Sequence, residues 1–379
     1  MRLKALWIAA AALLGVSSVL GQAQDSSQPG EKQIAAVFDG LATDKTPGLA
    51  VLVKKNGRVV FERGYGVKEL KTGSRIDSKT DFRLASVTKQ FTAMAIMLLV
   101  HDKKLSYETT LGEVFREFPE YGRKITVRQL LNHTGGLPDY EDLMEAREKE
   151  KGPMWSPEKQ IQDAEVLQLL EKATRAKFAP GTKWDYSNSG YVVLGLIVAN
   201  VSGKTYGDFL HERIFAPLKM ADTLVYQKGK NSVPNRAYGH SKEKDAFKET
   251  DQSSTSATLG DGGVYSSVED LSKWDDALRK HTLLNEEEMK PALTPGKYGS
   301  STLPGDAPAS LHGVKVEYGF GWFLDPYKGH KRMWHYGDTT GFKTAIQRFT
   351  KDGLTVIVLC NRTDLDPGAL AERIIDLYE

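Results

Sequence analysis

The stretch FRLASVTKQFTAMAIMLL, residues 82–99, decides how the rest of the chain is read. Ser86 and Lys89 stand three apart where a strongly apolar helical pattern begins. Phe91, Met94, Ala95, Leu98 and Leu99 recur at helical spacing with apolar residues between them. The spacing predicts a buried helix running to about His101. Residues three apart share a helix face, so Lys89 can reach the Ser86 hydroxyl. The helix N-terminus offers unpaired N–H groups and a positive dipole end, both favourable to an oxyanion. A lysine desolvated by such a helix is a better proton acceptor. A plainer reading stays open, in which Ser86 caps the helix and Lys89 is solvated.

Ser-x-x-Lys recurs at Ser156–Lys159 and Ser241–Lys244, and context separates the three. Ser156 precedes Pro157 and a helical run, the pattern of an N-cap with proline at the first helical position. Ser241 lies in the charged stretch GHSKEKDAF, where nothing nearby would lower a lysine pKa.

Outward from the centre, LAVLVKKNGRVVFERGYG reads as two strands joined at Lys55-Asn56-Gly57, a strong hairpin signal. A first helix is expected at EKQIAAVFDGLA. From about 106 to 315 the chain is mostly helix and loop, with helical periods in TVRQLLNH, PEKQIQDAEVLQLLEKA, SGYVVLGLIVANVSG and SVEDLSKWDDALRK. Long polar stretches at 139–160, 227–257 and 292–313 are expected to be loops that shape substrate choice. The end returns to strand character in EYGFGWFLD, KRMWHYG, FKTAIQRFT and GLTVIVLC, with a hairpin at FT-KDG-LT and a closing helix in PGALAERIIDLYE. The expected fold is α+β: one antiparallel sheet built from both chain ends, helices on its faces, and a mostly helical subdomain inserted between. The expected boundaries are 30–105 with 315–379 for the discontinuous α/β part and 106–314 for the insertion.

Composition narrows the function classes. Hydrophobic residues make up 40% and charged residues 26%, as in an ordinary globular protein. Arg2 and Lys4 account for the formal net charge of +2, so the remainder is balanced and nothing calls for nucleic acid. Those two cations precede the apolar run Ala5–Leu20, and the small residues Gly21 and Ala23 follow. That pattern is a signal peptide, expected to be cleaved near Ala23 and to leave a secreted or periplasmic protein without a stable membrane anchor. The run is shorter than the ~20 residues of a bilayer span. The single cysteine, Cys360, sits in LTVIVLC and reads as a small buried hydrophobe. The histidines form no HExxH pair, so a zinc site has little support.

Two further elements accompany Ser86 and Lys89. WDYSNSGY supplies Tyr186 and Asn188, the only Tyr-x-Asn in the chain. A tyrosine beside cations can carry a proton, and an asparagine can bond a substrate amide or ester. A Lys/His-x-Gly occurs at Lys71–Gly73, His133–Gly135 and His335–Gly337. The last begins an expected strand whose edge could pair with substrate.

Together these residues resemble the penicillin-recognising serine hydrolases, in their class C β-lactamase-like branch. That branch includes D-alanyl-D-alanine carboxypeptidases, D-aminopeptidases and β-lactamase-like esterases. Its order of Ser-x-x-Lys, Tyr-x-Asn and Lys/His-x-Gly is met by Ser86 and Lys89, Tyr186 and Asn188, and His335 and Gly337. The flanks LLNHTGGLPDY, FAPGTKWDYSNSGYVVLG, GDGGVYSSVEDLSKW and WHYGDTTGF are similar too, from about residue 45 to the end. The resemblance implies an acyl-enzyme on Ser86, proton transfer by Lys89 and Tyr186, and an oxyanion hole from the N–H groups of Ser86 and Asp338. It implies that Asn188 orients the acyl group and that no metal or organic cofactor takes part. Where class C β-lactamases carry Lys-Thr-Gly, this chain has His335-Tyr336-Gly337 followed by Asp338. A mostly neutral histidine attracts a substrate carboxylate less than lysine does. An ester or an uncharged-end amide is therefore the expected substrate. A carboxypeptidase, a class C-like β-lactamase and a non-catalytic penicillin-binding sensor are the alternatives.

Overall fold

The computed structural model describes residues 29–296, 301–302 and 317–379. The expected leader, residues 1–23, lies outside the described residues, as does most of the loop expected at 292–313.

Both chain ends meet in one sheet. Its strands are β1 (Leu49–Lys55), β2 (Arg58–Tyr65), β3 (Met333–Thr339), β4 (Phe342–Phe349) and β5 (Leu354–Cys360). They lie in the order β3-β4-β5-β1-β2, and every pair is antiparallel. The β1–β2 hairpin turns at Asn56 and Gly57, whose φ values of 52° and 75° suit a two-residue turn. β5 pairs with β1 from Leu49↔Cys360 to Lys55↔Leu354, so the two termini are stitched at the middle of the sheet.

Strand alternation gives the sheet two buried faces. Ala50, Leu52, Ile357 and Leu359 face the large core around α1 (Lys89–His101) and α2 (Asn188–Ser202). Leu49, Val51, Val53, Val356, Val358 and Cys360 face the other way, against the first helix, Glu31–Ala36, and the last, Pro367–Asp376. Cys360 is wholly buried there, and burial pushes its thiol pKa up. α1 is buried along Lys89–Leu99, because it packs against α2 and, through Gln90 and Phe91, against Trp274 of α3 (Val268–Arg279). Among the described residues no helix is long and apolar enough to cross a membrane.

Several expectations fail for local reasons. Residues 140–151 of the expected 139–160 loop form a helix, capped by Asp139 and ended by Gly152 at φ 85°. Only Tyr140 and Met144 are buried in it, too few to leave an apolar stripe in the sequence. The stretch 227–257 contains a hairpin, His240–Glu243 with Ala246–Glu249, so Ser241 lies on a strand. Ser156 caps a turn and not a helix: its Oγ accepts from the N–H groups of Glu158 and Lys159, and the helix starts at Asp163. EYGFGWFLD is not a continuous strand. Only Tyr318 and Phe323 form isolated bridges, because Gly321 turns the chain at φ 75°.

Candidate active site

The chain enters the site along Phe82–Arg83, a two-residue strand, and turns through a 3-10 segment, Ala85–Thr88, into α1. Ala85 holds φ at 48°, a left-handed conformation unfavourable for a residue with a Cβ. Ser86 follows that bend and is the one residue of 80–99 that is not buried. No helix-capping bond to its side chain exists: Leu84 and Thr88 hold the cap positions. The capping reading of Ser86 therefore fails.

Lys89 is wholly buried. Its Nζ donates to Ser86 Oγ at 3.0 Å, Asn188 Oδ1 at 2.9 Å and the Asp261 carbonyl at 3.0 Å. It lies 4.9 Å from the Tyr186 ring centre and 5.5 Å from that of Tyr191. Burial lowers its pKa to about 8, against the opposing pull of Asp261, Glu141 and Asp139. The solvated-lysine reading fails as well.

Tyr186 leads into α2 beside Asn188, the first residue of that helix. Its hydroxyl is buried and approaches Ser86 without closing a hydrogen bond. Burial, then Tyr336, drives its pKa well above the ordinary tyrosine range. Tyr186 is therefore a phenol, not a phenolate. The cation beside it is Lys89 alone, because His335 is neutral.

His335 sits on β3, fully buried. Its Nδ1 faces the Tyr336 carbonyl at 2.6 Å and so carries the proton, while Nε2 accepts from the Tyr318 hydroxyl at 3.0 Å. Burial, helped by the charge on Lys89, lowers its pKa to about 3. His335 lies 6.2 Å, ring to ring, from Tyr186. It presents no surface, so its influence on the cleft passes through its neighbours.

Gly337 and Asp338 form the rim. A Cβ on Gly337 would stand 2.2 Å from the Leu84 carbonyl oxygen and 2.4 Å from Thr344 Oγ1, which itself donates to that carbonyl at 2.8 Å. Glycine thus lets the edge strand lie against the nucleophile turn. Trp334 exchanges both backbone bonds with Phe323, away from β4. Two-residue alternation turns the N–H of Asp338 to that same outer side. The Asp338 carboxylate pairs with Lys343 at 3.2 Å, which offsets its charge.

Three partners escaped sequence reasoning. The Asp261 carbonyl is the third acceptor of Lys89, and its neighbour Gly260 accepts from Thr92 Oγ1 at 2.6 Å. His133 entered only as one of three His/Lys-x-Gly matches. It is buried, packs 4.4 Å from the Tyr186 ring and accepts the Ser187 N–H on Nδ1 at 3.1 Å. Burial, then Lys89 and His335, keeps its pKa well below the usual value. Tyr318 supplies the hydroxyl that meets His335 Nε2.

Residues 34–379 match the family model described as Beta-lactamase. The chain belongs to the beta-lactamase family. Among curated relatives of this family member, penicillin-binding protein 4* of Bacillus subtilis is 29% identical over 347 residues, covering 88% of this chain and 72% of that one. A D-aminopeptidase of Cereibacter sphaeroides is 26% identical over 330 residues, covering 83% of this chain and 57% of that one. Among solved structures, the octameric penicillin-binding protein homologue of Pyrococcus abyssi superposes with a TM-score of 0.74 at 25% identity, covering 92% of this chain and 76% of that one. The mixed α/β architecture with its antiparallel sheet is the one these beta-lactamase-like proteins share, and the family includes hydrolases.

Proposed function

We propose that this protein is an exported serine hydrolase that forms a covalent acyl-enzyme on an ester or an uncharged-end amide. The observation that carries the reading is the buried Lys89, 3.0 Å from Ser86 Oγ, with a pKa brought down to about 8. At pH 7 roughly a tenth of such lysines are neutral, enough to serve as base. Ser86 Oγ attacks the carbonyl carbon as Lys89 Nζ takes the hydroxyl proton. The carbonyl oxygen becomes an oxyanion between the N–H groups of Ser86 and Asp338. The neutral Tyr186 hydroxyl passes a proton to the leaving group and is recharged from Lys89. Asn188 holds Lys89 through Oδ1 and offers its amide N–H to the acyl side. Water then attacks the acyl-enzyme by the reverse proton path and frees the acid.

The preference for an uncharged substrate rests on His335, which is neutral and spends both ring nitrogens within the protein. Export rests on the leader pattern of residues 1–23, and N-terminal sequencing of the secreted protein tests it.

Hydrolysis of a short-chain p-nitrophenyl ester by the wild type and by Ser86→Ala tests the function. Steady turnover that disappears in the variant supports the reading. One product equivalent without further turnover makes the protein an acylating sensor. Efficient nitrocefin hydrolysis contradicts the preference for uncharged substrates.

A further inference from the structure

A cavity of about 310 Å³ shares no lining residue with the site around Ser86. It opens between α3 and the ends of β1, β4 and β5. Its floor is made by Lys54, Asp275, Arg348 and Thr355, all buried. Leu278, Met289, Met333 and Phe349 give its walls an apolar part, and Arg279, His281 and Glu286 also line it. Leu293, at its edge, is one of the few large apolar side chains exposed among the described residues, at 41%.

The floor is unevenly satisfied. Lys54 Nζ has three acceptors: Asp276 Oδ1 at 2.7 Å, the Ser272 carbonyl at 2.9 Å and Asp275 Oδ2 at 3.2 Å. Asp275 Oδ1 accepts from Arg348 Nε at 2.7 Å and from Thr355 Oγ1 at 2.8 Å. Burial alone would raise the Asp275 pKa, but Arg348 and Lys54 outweigh it and hold the carboxyl below its usual range. Arg348 is the exception. One terminal nitrogen donates to the Asp275 carbonyl at 3.3 Å, and the other meets, among the described residues, only the sulfur of Met333, at 2.9 Å. A thioether is a weak acceptor, and a guanidinium has five N–H donors. A buried donor this poorly paired is costly.

Charge selects the ligand. Lys54, Arg348 and Arg279 are each already ion-paired with Asp275 or Asp276, and Glu286 adds a further carboxylate to the lining. An entering carboxylate would add an unbalanced negative charge beside Asp275. A neutral carbonyl oxygen would satisfy Arg348 without that cost. We propose that the cavity binds a neutral amphiphile, its apolar chain against Leu278, Met289 and Phe349 and its amide carbonyl accepting from Arg348. The volume suits a small molecule.

The test uses the Ser86→Ala full-length chain, so that no probe is consumed, with methyl-labelled methionine. Octanamide is titrated and the methyl signals are followed by NMR, Met289 and Met333 being assigned through Met289→Leu and Met333→Leu. The expected result is saturable shifts at these two methyls, with Met144, Met154 and Met220 unmoved. Octanoate should bind at least threefold more weakly, and Leu293→Asp should weaken octanamide at least threefold. Absence of shifts, shifts at all methionines, octanoate binding as tightly, or indifference to Leu293→Asp would each overturn the proposal.

Discussion

Lys89 Nζ lies 3.0 Å from Ser86 Oγ, and its other two protons go to Asn188 and to the carbonyl of Asp261. Three acceptors favour the ammonium, yet burial wins and brings the pKa to about 8. The base is therefore the neutral amine, whose fraction grows with pH. kcat/KM for a neutral ester is expected to rise with pH and level off above about 8. Lys89→Arg keeps the charge, but a guanidinium does not deprotonate in proteins. Its activity is expected to fall by ~10²–10⁴-fold. A pH–rate profile checks both points; a flat profile or an active arginine variant removes Lys89 from the role of base.

Asp261 tests the same balance from the other side. Its carboxylate is the foremost charge opposing the burial of Lys89, and it is nearly inaccessible, at 6% exposure. Asp261→Asn keeps the backbone carbonyl that Lys89 uses and removes the charge. The Lys89 pKa is then expected to fall further, moving the ascending limb of kcat/KM to lower pH. A merely structural Asp261 would lower the rate at every pH and leave the limb in place.

Gly337 carries the contact between the edge strand and the nucleophile turn. In Gly337→Ala the new Cβ meets backbone at Leu84, which cannot swing aside as a side chain could. β3 must withdraw, and with it the Asp338 N–H. The expected cost is ~1–3 kcal/mol of stability together with at least ~10-fold in kcat/KM, since small misplacements at a reacting centre are expensive. Thermal melts and ester kinetics on one preparation measure both. Unchanged kinetics would show that this approach does not position the site.

What could be read from the sequence was local. The Lys55-Asn56-Gly57 hairpin and the Ser86–Lys89 pair depend on neighbours within a few residues, so spacing together with the local apolar pattern pointed to them. The split sheet followed because strand character appears at both chain ends and the intervening segment lacks it. The Asp261 carbonyl could not be read: a backbone acceptor 172 residues from Lys89 leaves no side-chain signature. The neutral state of His335 was anticipated from its ordinary pKa, but its cause is burial and the charge on Lys89, both tertiary. The helix Tyr140–Lys151 was missed because it is charged nearly all round and buries little.

Asp81 is a further buried carboxyl, close in sequence to Ser86 and outside the proposed chemistry. It is inaccessible, and neither side-chain oxygen has a hydrogen-bond partner among the described residues. Burial, then Asp222 and Asp270, raises its pKa to about 8. The folded state thus holds a proton that the unfolded chain releases near pH 4. Stability drawn from that proton is complete below about pH 4 and drains away as pH rises through about 8. Asp81→Asn removes the titration and retains the shape. The unpaired amide carries a penalty of its own, but that penalty does not vary with pH. The difference in melting temperature between variant and wild type is therefore expected to grow in the variant's favour from pH 4 to pH 8, by ~1–2 °C for each kcal/mol regained. A difference constant across that range would mean that Asp81 is already neutralised by another route, and that the fold carries no proton at this position.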